Sequence, residues 1–140
     1  MGGQTRTLTN RRKINQESFY MSDVYTIYHN PRCAKSRLTL RLLRRKCEQV
    51  EVVKYLEYPP SADLLLTALE KLGRAAMVRR NEDAYRECVY KREKSIHDEE
   101  LAQIMAENPS IIQRPLVVAP DGRMAMGRPP ENIENIIKTP

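Results

Sequence analysis

Val24-Tyr25-Thr26-Ile27-Tyr28-His29-Asn30-Pro31-Arg32-Cys33-Ala34-Lys35-Ser36-Arg37 (24–37) runs on through a Leu-rich segment to Val50-Glu51-Val52-Val53-Lys54-Tyr55 (50–55). Val24–Tyr28 is β-branched and aromatic, of strand length, and apolar on both faces, the pattern of a central strand covered on both sides. From Ser36 to about Lys46 the spacing predicts a helix with Leu38, Leu42 and Leu43 as its apolar stripe, Leu40 beside it, and Arg37, Arg41, Arg44 and Arg45 on a solvated face. Val50–Tyr55 reads as a second strand. A strand, helix, strand order implies parallel pairing through a right-handed crossover.

Between the first strand and the helix stands Cys33. An ordinary cysteine is most often buried and inert. At a helix N-terminus, however, unpaired backbone N–H groups and the positive end of the helix dipole favour S⁻ over SH. Arg32, Lys35 and Arg37 add positive charge, and the same N–H groups suit an incoming oxyanion. The loop therefore offers a nucleophile and an anion cradle together.

Downstream, Pro59-Pro60 stop the second strand, and Ser61 is a good N-cap for a helix to about Leu72, with Leu65, Leu69 and Leu72 on one face and Gly73 closing it. Residues 74–108 read as a helical insertion in pieces: 74–79, 82–88 and 98–107, the last with a weak capping box from Ser95 to Asp98. Gln113–Ala119 is an apolar strand, Pro120-Asp121-Gly122 a turn, and Arg123–Met126 an antiparallel return. Pro129-Pro130 then open a last short helix striped by Ile133, Ile136 and Ile137. A βαβ unit, inserted helices and a ββα unit predict an α/β fold: a thioredoxin-like four-stranded mixed sheet flanked by helices.

The chain has 140 residues, enough for one domain with its own core. Residues 1–22 are polar and without period and are expected to form a disordered extension, leaving 23–140 as the single domain. Arg6, Arg11, Arg12 and Lys13 against Glu17 place +3 of the +6 formal charge in that extension, so the body is only mildly basic. Without Trp and with a single Phe, it offers no stacking surface for nucleic acid. No apolar run approaches the ~18 residues of a membrane span, and no signal or transit segment is evident. Three cysteines at irregular spacing and two histidines support neither a disulfide framework nor a metal site. This usage suits a reducing cytoplasm, the expected location.

The chain resembles the ArsC family, the glutaredoxin-coupled arsenate reductases, over residues 24 to about 137. Five motifs carry the likeness in order: HNPRCAKSR (29–37), YLEYPPSAD (55–63), MVRRNEDAYRE (77–87), QRPLVV (113–118) and GRPPENI (127–133). The resemblance implies that Cys33 attacks arsenate and that Arg79, Arg114 and Arg128 hold the oxyanion and the arsenylated thiol. Planar guanidiniums with paired donors suit a tetrahedral oxyanion. His29 would help set the thiolate's charge, with Asn30, Ser36 and Pro115 supporting, and Arg114–Pro115 is expected to be cis.

Where some members of the family carry Gly-Thr after the cysteine, this chain has Ala34-Lys35. Position 36 is Ser, so no CxxC disulfide can form and the resolving thiol must come from outside. Cys47, fourteen residues along a helix or about 21 Å away, is rejected for that role, Cys88 is read as structural, and His97 as a cap or surface residue. The resemblance implies glutathione as co-substrate and glutaredoxin as partner, with no bound metal or organic cofactor; a monomer is expected. Two alternatives are a glutathione-linked thiol oxidoreductase with another substrate and a non-enzymatic regulator of the Spx type.

Overall fold

The computed structural model describes residues 23–137; the extension expected over 1–22 lies outside the described residues. Strand β1 (Tyr25–His29) leads to helix α1 (Ala34–Lys46) and strand β2 (Val50–Lys54). Four helices follow, α2 (Ala62–Leu72), α3 (Arg74–Met77), α4 (Asp83–Cys88) and α5 (Asp98–Glu107), then β3 (Leu116–Val118) and β4 (Met124–Met126). Short 3₁₀ turns occupy Tyr90–Arg92, Pro109–Ile111 and Pro130–Asn135.

The sheet order is β2-β1-β3-β4. Ile27 in β1 pairs with Val52 of the parallel β2 and with Val117 of the antiparallel β3, and Val117 pairs in turn with Ala125 of β4. The mixed, thioredoxin-like sheet is covered on both faces. One face carries Leu65, Leu69, Met77, Leu101 and Met105 of the helices against Leu116 and Met126. The other packs Leu43, Ile133 and Ile136 against Tyr25, Ile27 and Val117. Burial of each large aliphatic side chain contributes roughly 1.5–3 kcal/mol, so both layers hold the central strands in place.

Local chemistry explains the boundaries. Ser61 Oγ accepts the Leu64 N–H at 3.1 Å, capping α2, and Gly73 ends it at φ +86°, a conformation that L side chains rarely adopt. Ala119 donates to Arg123 O at 2.8 Å and Gly122 to Ala119 O at 2.9 Å. With Gly122 at φ +93°, this is the three-residue hairpin closed by a bulge.

Four expectations need correction. The buried face of α1 is Ser36, Thr39 and Leu43, with Leu40 and Leu42 partly covered, while Leu38 is 48% exposed. Small polar side chains fit where α1 meets the loop after β4, and no Leu could. The helix expected over 74–79 stops at Met77 because Val78 pairs with Ile112 in an isolated antiparallel bridge. The capping box does not form: His97 takes the N-cap position of α5 without a side-chain bond, and Ser95 Oγ donates to Arg92 O at 3.0 Å. The last helix is a 3₁₀ turn, yet it buries Ile133 and Ile136 as expected.

Candidate active site

Strand directions bring three distant segments together. The C-terminal end of β1, the N-terminal end of β3 and the C-terminal end of β4 lie at one edge of the sheet. The loop after His29, the Arg114–Pro115 step and Gly127-Arg128 therefore meet there. Arg114–Pro115 is cis as expected, and so is Arg128–Pro129, which the sequence reading missed.

Cys33 is the N-cap of α1, with φ −96° and ψ 122°, and its side chain makes no cap bond. Partial burial pushes its thiol up. Donation and positive charge from Arg114, with the backbone N–H groups of Ser36 and Lys35, outweigh that effect and hold the thiol below its ordinary range. Arg128 Nη1 lies 4.0 Å from the sulfur and donates to Arg114 O at 3.3 Å.

The loop is tied down from within. Cys33 N–H donates to Asn30 O at 3.0 Å, Arg32 N–H to Asn30 Oδ1 at 3.0 Å, and Arg37 Nη1 to Pro31 O at 2.9 Å. Ser36, fully buried, accepts the Asn30 N–H at 3.1 Å and lies 2.6 Å from His29 Nδ1. Burial lowers the His29 pKa, and Arg44, Lys54 and Arg37 lower it further, which favours the uncharged ring in its contact with Ser36 Oγ. Any influence of His29 on the thiol runs through Ser36, since the groups that lower the Cys33 pKa are Arg114 and the backbone N–H groups of Ser36 and Lys35. His29 anchors Ser36, whose N–H faces the sulfur.

Arg114 carries the sharpest electrostatic signal: its Nε and Nη1 are buried with no hydrogen-bond partner. Two buried guanidinium nitrogens with no protein acceptor are costly and suit an anion's oxygens. Arg79 differs, because its Nη1 contacts Glu82 Oε2 at 2.9 Å. Its backbone N–H donates to Ile111 O at 2.7 Å, and Gln113 N–H to Met77 O at 2.8 Å, so the bridge that ends α3 fixes the position from which Arg79, like Arg114, acts on Tyr55. Tyr55, 1% exposed, was not singled out in the sequence. Burial raises its phenol pKa, Arg114 and Arg79 oppose this, and Cys33 and the Asn30 side chain also act on it. Its neutral hydroxyl stands among the arginines and the thiol as a further donor. The signal available was its place at the start of YLEYPP.

Behind the loop, Thr39 Oγ1 donates to Lys35 O at 2.8 Å and approaches Gly127 O at 3.3 Å. A Cβ on Gly127 would stand 2.5 Å from Thr39 Oγ1 and 2.9 Å from Pro115 Cγ, and Gly127 N–H donates to Pro115 O at 2.9 Å. Glycine there lets the Arg128 segment close on Pro115. Cys47 caps the opposite end of α1 from Cys33, Cys88 ends α4, and His97 is exposed; none joins the site.

Chemically, the arrangement is a thiol of lowered pKa beside guanidiniums, chemistry suited to binding and attacking a small oxyanion. No helix among the described residues is long and apolar enough to cross a membrane. The "Uncharacterized protein YfgD" of Escherichia coli strain K12 is 42% identical over 120 residues, 84% of this chain and 99% of that protein. An "Arsenate reductase" of Neisseria meningitidis serogroup B is 40% identical over 114 residues, 79% of this chain and 96% of that one. The solved structure "Arsenate reductase from Vibrio cholerae" superposes with a TM-score of 0.71 at 40% identity, covering 82% of this chain and 98% of that one. The model of the ArsC family matches residues 28–136, and with these relatives beside the shared sheet and cysteine loop, the chain belongs to the ArsC family.

Proposed function

We propose that the protein is a cytoplasmic arsenate reductase in which Cys33 is the nucleophile and glutathione and glutaredoxin supply the electrons. The observation that carries this reading is the pair of buried Arg114 guanidinium nitrogens without a partner among the described residues, beside a thiol held below its ordinary pKa. Arg114, Arg128 and the Tyr55 hydroxyl hold arsenate, with Arg79 completing the ring. The Cys33 sulfur bonds to arsenic, and one arsenate oxygen leaves as water, arsenic remaining As(V). Glutathione sulfur displaces a second oxygen as water. A glutaredoxin thiolate then attacks the glutathione sulfur and forms a mixed disulfide. The arsenic–sulfur electron pair stays on arsenic, which becomes As(III). Hydrolysis of the remaining Cys33–arsenic bond releases arsenite and restores the thiolate.

The test is arsenate reduction with glutathione and glutaredoxin, followed as arsenite formed. Cys33→Ser is expected to lose activity by on the order of 10³-fold or more. Full activity in that variant overturns the mechanism. Turnover of glutathionylated peptide but not of arsenate would instead assign the site to general thiol exchange.

A further inference from the structure

The hydrogen-bonded pairs between β3 and β4 are fixed by Ala119 N–H to Arg123 O and Gly127 N–H to Pro115 O. Val117 and Ala125, paired between them, must then be the third bonded pair. It follows that Met124 and Met126 turn their N–H and C=O groups away from β3, towards the open side of the sheet, for β4 is its last strand. The Met126 C=O is met there by Arg128 N–H at 2.8 Å and Asn132 Nδ2 at 3.2 Å. The Met126 N–H and both Met124 groups bond to nothing among the described residues.

A cleft of about 370 Å³ runs along this open edge, within the size range of small-ligand sites. Leu72 and Ala76 wall it on one face of the sheet, and Asn132 and Asn135 on the other. Its one charged lining residue is Arg128, whose Nη1 is 4.0 Å from the Cys33 sulfur. Among the described residues no acidic side chain lines it. Gln113, also in the wall, uses its Oε1 on Arg114 N–H at 3.3 Å, which leaves its amide N–H groups for a ligand.

We propose that this cleft binds the thiol co-substrate, a short acidic peptide of the glutathione class, as an added extended strand on β4. Peptide groups pair with Met124 and Met126 by strand addition. A carboxylate of the occupant meets the Arg128 guanidinium, and the amides of Gln113 and Asn135 take the remaining oxygens. Because Arg128 touches both the cleft and the sulfur, a peptide so held presents its thiol to whatever Cys33 carries. The inference rests on the reading in which a peptide thiol resolves the Cys33 adduct, and it adds where that peptide sits.

S-methylglutathione, which cannot reduce arsenic, probes the site directly. Titrated into the ¹⁵N-labelled protein, it is expected to shift the amide signals of Ala76, Met124, Met126 and Asn135. Ala76→Trp, which fills the cleft, and Asn135→Asp, which sets a carboxylate against the occupant, are each expected to raise the KM for glutathione about tenfold, equivalent to ~1.4 kcal/mol. The KM for arsenate should change less than about twofold, a shift below ~0.5 kcal/mol. Asn135 is exposed, so its variant keeps the fold even where the Trp variant does not. Silent cleft amides at millimolar probe, or unchanged glutathione KM in Asn135→Asp with arsenate still reduced, overturn the inference and leave the proposed function standing. Cleft shifts in a protein that does not reduce arsenate overturn the function and leave the cleft assigned.

Discussion

Arginines at the thiol end of the sheet and arginines in the helical segment between β2 and β3 are treated in opposite ways. In the helical segment each has an acceptor. Arg74 donates to Asp98 Oδ1 at 2.8 Å, Glu93 O at 2.7 Å and Ile96 O at 2.8 Å. Arg80 reaches both Glu93 oxygens, at 3.1 and 2.6 Å, Arg92 holds Glu100 at 2.6 Å, and Arg86 pairs with Asp83. At the thiol end, Arg114 leaves two buried nitrogens unpaired, and Arg128 finds only the sulfur and one carbonyl. The first set consumes its charge in holding the chain together. The second leaves donors unspent on protein acceptors, which favours an anion that can enter. Arg79, tied to Glu82 by one nitrogen, stands between the two.

The largest expected effect tests the unpaired set. Arg114→Ala should lower kcat/KM for arsenate by about 10²–10³-fold, the range for losing a preorganised donor. It should also raise the thiol pKa read by thiolate absorbance. In the native protein kcat/KM for the thiolate step rises with pH through the depressed Cys33 titration and then levels, and this variant moves the rise to higher pH. Since a buried unpaired charge is removed, thermal stability should hold or improve. A stability loss with normal kinetics would break the contrast.

Arg74→Ala is its mirror. Two carbonyls and Asp98 lose their donor, so denaturant unfolding should show a loss of about 2 kcal/mol, with kinetics within about twofold of native. Gly127→Ala joins the two behaviours. Its Cβ meets Thr39 and Pro115, so about 1–3 kcal/mol of overpacking strain is expected, together with a displaced Arg128 and a higher KM for arsenate. Smaller again is Glu82→Gln, which frees Arg79 from a partly buried pair and should lower the KM for arsenate about twofold, about 0.5 kcal/mol.

The smallest effect is a pH dependence of stability in the helical segment. Donation from Arg80, and then from Tyr85, holds the Glu93 carboxyl below its ordinary range against the opposing effect of burial. A depressed carboxylate contributes stability that is present above its unfolded pKa and lost as pH falls through the folded one. Acid unfolding of Glu93→Gln should therefore be flatter in that window than that of the native chain.

Much of the architecture could be read before any coordinates. VYTIY and VEVVKY announced buried strands because β-branched runs of that length have few other uses, and Ser61, Gly73 and Asp121-Gly122 marked ends that backbone geometry demands. Errors fell where tertiary contact overrides local pattern. Leu38 looked buried by spacing yet is exposed, since the face of α1 was chosen by the close passage of Gly127 over Thr39. The helix after Gly73 was read two residues too long, since nothing near Val78 foretells Ile112. In the site, the cysteine loop was legible as chemistry. How His29 bears on the thiol was not legible, because its bond to buried Ser36 and its neighbours Arg44 and Lys54 are set by folding.

By itself, the sequence determined the elements, their order, the cysteine at a helix start and the stock of arginines, all of which follow from local propensity and short-range pattern. Only the tertiary structure decided which guanidinium nitrogens stay without a protein acceptor, that Tyr55 stands near them, and that β4 is the edge strand among the described residues, with Arg128 shared by its cleft and the thiol. Those properties depend on distances between residues far apart in the chain, and electrostatic and hydrogen-bond energies are fixed by those distances rather than by composition.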